Sequence, residues 1–169
     1  CASFGSPFRD LAVPAHGQLL GFPGMDLGQF DPRATAPYAL SKASPFVASA
    51  GLVVDDVSGV RVVGHIELGP DHFTPWGVVH GGVYTTAVET AASIGASEAV
   101  KDRGEFAVGV HNGTDFLRAS KGGRVDVVAE PLQQGRVQQL WLVTITASDS
   151  GKTIARGQVR LQNVPLPPR

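Results

Sequence analysis

Residues 81–100 read GGVYTTAVETAASIGASEAV, and this stretch decides the fold. It is rich in Ala and Thr, contains no Pro, and is long enough for about five turns of helix. At about 100° per residue, Val83, Ala87, Ala91 and Ile94 share one stripe, which predicts the face that packs into a core. The stretch is therefore expected to be the one long helix of the chain.

The sequence on both sides of this helix is rich in strand-forming runs. Residues 52–57 and 60–68 are separated by Ser58-Gly59, which is typical of an antiparallel hairpin. Four further strands are predicted at 106–117, 124–130, 137–147 and 153–164, with breaks at 121–123, 134–135 and 149–151.

The last predicted strand shows how the sheet is covered. The small and apolar residues Ala155, Gly157, Val159 and Leu161 alternate with Arg156, Gln158, Arg160 and Gln162. Such alternation predicts a sheet with one buried face. Because the long helix is the obvious partner for that face, we predict an α+β fold in which a curled antiparallel sheet wraps around one helix.

Length and composition indicate a single domain. The chain has 169 residues, of which 43% are hydrophobic, enough for one sizeable core. Prolines and glycines are frequent up to residue 45, so residues 1–45 are predicted to form an N-terminal arm. Residues 46–165 form the predicted domain, and residues 166–169 a short tail. A short helix is expected at 44–50, ended by Gly51.

Charge, cysteine content and the lack of a long apolar run indicate the kind of partner and environment to expect. Fourteen Lys and Arg against fifteen Asp and Glu give a net charge of -1, which disfavours nucleic acid and anionic membranes as partners. The single cysteine, Cys1, has no partner for an internal disulfide, and no apolar run approaches the roughly 20 residues of a membrane span. We expect a soluble, cytoplasmic protein.

Glu89 is the first candidate functional residue. It is the only charged residue between 81 and 97, whereas a solvated helix face usually also collects Lys, Arg and Gln. The small hydroxyl residues Thr85, Thr86 and Ser93 share its side of the helix. A solvated polar face is the alternative interpretation, but a lone carboxylate among small side chains favours a ligand site.

The start of the helix offers a second chemical feature. His80-Gly81-Gly82 leads into the first turn, where backbone N–H groups lack partners within the helix and lie at the positive end of its dipole. Gly81 and Gly82 have no side chains, so a carbonyl oxygen can approach these N–H groups and be polarised there.

These residues carry a resemblance to a known family. The run from Trp76 to Tyr84, then Glu89 and Ala91-Ala92-Ser93, and the run from Val108 to Arg118 resemble the signature of hotdog-fold acyl-CoA thioesterases of the 4-hydroxybenzoyl-CoA and phenylacetate-pathway type. The resemblance covers roughly residues 46–165. It implies a thioester hydrolase that acts on an aromatic or a short- to medium-chain acyl-CoA without a cofactor.

The resemblance also implies roles for individual residues. Glu89 matches the nucleophile or general base, and Gly81 matches the glycine whose N–H polarises the thioester carbonyl. Ser93 matches a residue that positions the acid or the water, and His80 an orienting histidine. The family usually has Gln or Asn seven residues before the glycine, where this sequence has Thr74. The substrate-binding residues are expected to be Thr74, Gly82, Thr85, Asn112 and Arg118, with Arg118 near the coenzyme A phosphates.

Other chemistries are less well supported by the sequence. His16, His65, His72, His80 and His111 show no metal-ligand spacing. No G-x-S-x-G elbow occurs, and Gly151-Lys152-Thr153 lacks the rest of a phosphate-binding loop. Two alternatives stay open: a non-catalytic ligand-binding hotdog protein, and a hydratase or dehydratase. For the latter, residues 71–76 lack the expected D-x-N-P-x-H arrangement.

Helix geometry makes a prediction about assembly. Gly81 and Glu89 are eight residues apart, which separates them by about 12 Å along one helix axis. A nucleophile must come within roughly 3–3.5 Å of the carbonyl carbon, so one substrate cannot use both residues of one chain. The active site should pair Gly81 of one subunit with Glu89 of another, making a homodimer the minimal unit. A homotetramer is the expected assembly.

Overall fold

The computed structural model describes residues 45–166, so almost all of the predicted arm and tail lies outside the described residues. Two α-helices are present, α1 (Pro45–Ser49) and α2 (Gly81–Glu98). The strands are β1 (Val53–Ser58), β2 (Arg61–Leu68), β3 (Glu105–Phe116), β4 (Gly123–Gln134), β5 (Gln138–Ala147) and β6 (Thr153–Pro165).

The six strands form one antiparallel sheet in the order β1-β2-β4-β5-β6-β3. The chain inserts α2 between β2 and β3, and β3 then pairs with the last strand, β6. Within the described part of the chain, β1 and β3 are therefore the two edges of the sheet.

Helix α2 packs across the buried face of the sheet and contacts all six strands. Ala87, Ala91 and Ile94 of the predicted stripe are buried, while Val83 is only half-buried. The buried surface is wider than one stripe because the curled sheet surrounds the helix; it also includes Tyr84, Val88, Ala92, Gly95 and Ala96.

A large aromatic residue fixes how closely the helix approaches the sheet. Trp141 of β5 is fully buried, and a Cβ atom on Gly95 would lie 2.5 Å from the Trp141 ring. Only glycine leaves room for this contact. The Trp141 indole N–H donates to Gln139 (3.0 Å), whose side chain donates to the Ala96 carbonyl (2.9 Å). The C-terminal half of α2 is thereby fixed to β5.

Most predicted element boundaries are confirmed within two residues. The β1–β2 hairpin forms as expected, and Ala155, Gly157, Val159 and Leu161 form the buried face of β6. Helix α2 ends at Glu98, two residues before the predicted end. One boundary was wrong: β4 continues past residue 130 to Gln134, because a bulge between Pro131 and Gln133 accommodates the proline in the strand.

The architecture is the predicted hotdog fold, one long helix wrapped by a curled antiparallel sheet. Among residues 45–166, no helix has the length and apolar character needed to span a bilayer.

Candidate active site

His80 is the N-cap of α2. Its backbone is extended (φ -68°, ψ 132°), and its Nδ1 accepts a hydrogen bond from the Gly82 N–H at 2.8 Å. Because Nδ1 accepts, the proton of the neutral imidazole lies on Nε2. The side chain of His80 therefore already accepts from the Gly82 N–H, and the contribution of Gly82 to substrate binding stays a prediction. His80 thus orients the start of the helix.

Gly81 provides the free donor at this helix end. Within residues 45–166 its N–H has no hydrogen-bond partner, and it lies at the positive end of the α2 dipole. The Phe116 ring, at the end of β3, packs directly against Gly81, so a Cβ atom at that position would lie 2.8 Å from the ring. The absence of a side chain at Gly81 therefore leaves room for the Phe116 ring beside the helix start.

Thr74 lies in the turn that leads to α2. Its hydroxyl proton is used within that turn and does not face an open cavity. Its N–H and its hydroxyl both donate to the Val78 carbonyl, at 2.7 and 3.0 Å, and its carbonyl accepts from Gly77. Gly77 has φ 73°, which favours glycine. The hydroxyl oxygen can still accept a hydrogen bond, but Thr74 has no free donor to replace a carboxamide N–H.

Glu89 lies against the edge strand β3, not on an open helix face. It is half-buried, and its Oε2 accepts a hydrogen bond from the Asn112 amide at 2.9 Å. The second Asn112 amide hydrogen points to the Thr85 carbonyl (3.3 Å), and Asn112 Oδ1 accepts from Thr114 (2.7 Å). Both amide hydrogens of Asn112 and one acceptor position of its Oδ1 are thus used within the chain, and its role in substrate binding stays a prediction.

The two hydroxyl residues near Glu89 behave differently from each other. Thr85 donates to the Gly81 carbonyl one turn earlier (3.2 Å), so its hydroxyl proton stays within the helix. Ser93 lies one turn after Glu89 and is half-buried, but in the described structure it makes no hydrogen bond to the carboxylate. Ser93 is placed as expected, whereas its role stays a prediction.

One protomer does not bring the two main candidates together. Gly81 lies beside Phe116 at the far end of β3, and Glu89 lies beside Gly109 and Asn112 near the middle of that strand. The positions match the separation of about 12 Å expected along α2.

Two cavities flank the start of α2. One, of about 290 Å³, lies next to Gly81 and has Tyr84, Phe116 and Arg118 in its walls. Arg118 is exposed and donates one N–H to the Thr153 carbonyl, which leaves its other donors available. Burial raises the pKa of the Tyr84 hydroxyl, although the Ser120 side chain opposes this shift, so Tyr84 stays neutral at physiological pH.

The other cavity, of about 380 Å³, lies on the opposite side of the helix start. Its walls include Phe46 of α1, His72, His80 and Thr86. Both ring nitrogens of His72 are used structurally, Nδ1 by the Gly69 N–H (3.1 Å) and Nε2 by the Ser49 carbonyl (3.1 Å). His72 thereby attaches α1 to the loop before α2. Across residues 45–166, no cluster of three His, Cys, Asp or Glu side chains is arranged to hold a metal ion.

Sequence reasoning missed three residues of this site, all on β3. Gly109 faces the Glu89 carboxylate, Thr114 holds the Asn112 amide, and Phe116 covers Gly81. Their roles depend on how β3 lies along α2, which no local sequence signal gives.

Comparison with known proteins shows the family to which the chain is related. Residues 77–154 match the thioesterase superfamily. The Mycobacterium tuberculosis protein Rv1847 is 42% identical over 139 residues, covering 81% of this chain and 99% of the relative. Its solved structure, 43% identical, superposes with a TM-score of 0.70 over 74% of this chain and 100% of the other.

Two further proteins are similar over most of their own length. The 1,4-dihydroxy-2-naphthoyl-CoA hydrolase of Listeria monocytogenes is 30% identical over 96 residues, 57% of this chain and 77% of the relative. The crystal structure of AziG from S. sahachiroi is 38% identical, with a TM-score of 0.68, covering 73% of this chain and 98% of that one.

Proposed function

The chain belongs to the thioesterase superfamily and is a thioester hydrolase, and we propose that it cleaves acyl-CoA with Glu89 as the catalytic carboxylate and the Gly81 N–H as oxyanion donor. The observation that carries this proposal is the pair of features on α2: an unpaired N–H at the helix start and a half-buried carboxylate held by an amide. Each is a group that thioester hydrolysis needs.

The proposed reaction begins when the thioester carbonyl oxygen accepts a hydrogen bond from Gly81. This contact and the helix dipole stabilise the negative charge that develops on that oxygen. Glu89 then acts in one of two ways. Its carboxylate attacks the carbonyl carbon, expelling the coenzyme A thiolate and forming an anhydride that water hydrolyses, or it takes a proton from a water that attacks the same carbon. Both routes give the free acid and coenzyme A.

The geometry of α2 supports a site shared between two subunits. The carbonyl carbon must come within roughly 3–3.5 Å of the attacking atom, whereas Gly81 and Glu89 of one chain are about 12 Å apart along the helix. In the proposed homodimer, Gly81 of one subunit faces Glu89 of the partner subunit. Twofold symmetry then gives two equivalent sites.

The edge strand β3 is the proposed dimer interface. Within the described chain it pairs on one side only, with β6, and its length leaves a long row of unpaired backbone groups. Three apolar residues of this strand, Val108, Val110 and Phe116, are exposed, and so is Leu117, which directly follows it. A second copy of the chain on this edge would cover these groups. It would also bring Glu89 of each subunit close to the partner subunit, because Glu89 contacts the helix-facing side of β3. A tetramer would then be a pair of such dimers.

An aromatic acyl group is the substrate class that the cavity beside Gly81 supports best. The rings of Tyr84 and Phe116 lie 6.3 Å apart, tilted by 42°, in the wall of that cavity. Aromatic walls favour flat rings through offset and edge-to-face contacts. The Listeria relative is named for a naphthoyl-CoA substrate. Short- and medium-chain acyl-CoAs are the alternative. Exposed Arg118 beside this cavity is suited to a coenzyme A phosphate.

Release of the coenzyme A thiol from a panel of acyl-CoAs tests the proposal. We expect turnover that is faster with benzoyl- and hydroxybenzoyl-CoA than with butyryl- or octanoyl-CoA. Faster turnover of the alkyl substrates would contradict the aromatic assignment alone. Absence of turnover with every acyl-CoA, by protein that is folded and dimeric, would contradict acyl-CoA as the substrate class.

A further inference from the structure

Strand β3 contains a bulge beside Glu89. Along the pairing with β6, Gly109 lies opposite Leu161 and His111 lies opposite Arg160, which leaves Val110 as an extra residue. An extra residue reverses the alternation of side chains along a strand. Before the bulge, Ala107 is buried and Gly109 faces α2. After the bulge, Asn112 and Thr114 are the residues that face α2. In a regular strand, His111 and Gly113 would occupy that face.

The bulge therefore brings two different residues to the same carboxylate. Asn112 donates to Glu89 Oε2 at 2.9 Å. Gly109 lies against the other oxygen, because a Cβ atom at this position would be only 2.0 Å from Glu89 Oε1. Any other residue at position 109 would displace the carboxylate.

The orientation of the Asn112 amide is fixed on both sides. Thr114 donates its hydroxyl proton to Asn112 Oδ1 (2.7 Å), and the Thr85 carbonyl accepts from Nδ2 (3.3 Å). A flipped amide would direct its oxygen toward the Glu89 carboxylate and the Thr85 carbonyl. Three hydrogen-bond acceptors would then face one another without a donor, which is unfavourable. The N–H of Asn112 is thus held toward Glu89.

We infer that Asn112 and Gly109 are positioning residues for Glu89, with Asn112 holding Oε2 so that Oε1 is the oxygen that acts in catalysis. Within residues 45–166, Oε1 accepts no hydrogen bond, which leaves it available to a carbonyl carbon or a water. This inference rests on the proposed role of Glu89. It adds that the edge strand, through its bulge, sets the orientation of the catalytic carboxylate.

Asn112→Ala tests the inference most simply. Because a misplacement of about 1 Å can cost on the order of 10²-fold, we expect kcat to fall roughly 10- to 100-fold with KM nearly unchanged. Asn112→Asp, which presents a second carboxylate to Glu89, should lose at least as much. Gln158→Ala, which truncates an exposed amide side chain on the neighbouring strand β6, is the matched control and should retain wild-type kcat.

A double-mutant cycle separates positioning from a merely structural role. If Asn112 acts through Glu89, then Asn112→Ala should cause no further loss of the residual rate in the Glu89→Gln background. An equal loss in both backgrounds would overturn the inference. So would an Asn112→Ala enzyme that keeps kcat within threefold of wild type.

A crystal structure of the Asn112→Ala variant gives a readout that does not depend on activity. We expect the Glu89 carboxylate to leave the position it has in the wild-type protein, and the same result for Gly109→Ala. A carboxylate that stays in place in the folded Asn112→Ala variant would overturn the positioning role. Failure of the proposed function would be recognised separately, as a wild-type enzyme that hydrolyses no acyl-CoA.

Discussion

At the scale of single residues, the proposed chemistry depends on the carboxylate of Glu89. Glu89→Gln keeps the side-chain volume and can still accept a hydrogen bond from Asn112, but the amide neither attacks a carbonyl nor accepts a proton. We expect kcat to fall by about 10²–10⁴-fold, the usual contribution of a positioned base, while substrate affinity stays within a few fold. Single-turnover hydrolysis and binding of the intact acyl-CoA measure the two quantities. A variant with a tenth of the wild-type kcat would exclude Glu89.

Gly81 gives a second prediction at this scale. Gly81→Ala places a methyl group 2.8 Å from the Phe116 ring, so either the ring or the helix start must move. We expect a loss of kcat of about 10²-fold, comparable to removal of an oxyanion donor. Gly69→Ala is the matched control, because nothing lies within 4 Å of its Cβ position. Equal kcat in the two variants would contradict the role of Gly81.

The sequence predicts candidate reacting residues, but it does not predict the residues that contact and orient them. Glu89 was recognisable because no other charge lies on its helix between 81 and 97, and Gly81 because glycine at a helix start leaves a donor open. The predicted role of Asn112 in substrate binding stays a prediction, but its hydrogen bond to Glu89 was not expected from the sequence. That contact requires the extra residue Val110 in β3, and a bulge depends on the pairing with β6, which is not encoded locally.

At the scale of elements, the start of α2 depends on an N-cap formed by His80. His80→Ala removes the acceptor of the Gly82 N–H and should reduce the free energy of unfolding by about 0.5–2 kcal/mol, with a loss of kcat as the helix start becomes less ordered. His80→Asn supplies an alternative acceptor and should restore most of both quantities. Urea denaturation and steady-state kinetics measure them.

The two His80 variants also test whether the histidine takes part in proton transfer. If His80→Asn is as stable as the wild type but as inactive as His80→Ala, the imidazole has a chemical role, and the capping account is incomplete.

Element types were predictable because hydrophobic periodicity and turn residues agree along the described chain. The predicted stripe of α2 was too narrow because it assumed a helix on a flat sheet. A sheet that curls around the helix buries Tyr84 and Val88 as well. The His80 cap was also not expected, since His is not among the preferred N-cap residues.

At the scale of the whole molecule, β3 is proposed to pair with a second copy. Val110→Lys would place like charges on both copies of this edge, so we expect a shift from dimer to monomer together with loss of hydrolysis. Val53→Lys is the matched control: it lies on the opposite edge strand, and both valines are 50% exposed. Light scattering after size-exclusion chromatography gives the masses. A Val110→Lys protein that stays dimeric would exclude this edge as the interface.

For the assembly, residue spacing predicts a geometric constraint but no particular interface. If Gly81 and Glu89 act on one substrate, the eight residues between them require two chains for one site, but this spacing does not say which surfaces meet. The exposed edge β3 supplies a candidate surface. The tetramer, the cytoplasmic location and the N-terminal arm over residues 1–45 stay predictions.

Complementation between two inactive variants tests the shared site most directly. Glu89→Gln and Gly81→Val chains are unfolded, mixed in equal amounts, refolded together and assayed. Random pairing makes half of the dimers mixed, and each mixed dimer contains one site with both residues intact and one with neither. The account predicts that about a quarter of wild-type activity returns from two inactive parents. Mixed dimers that mass spectrometry detects, but that remain as inactive as the parents, would contradict it.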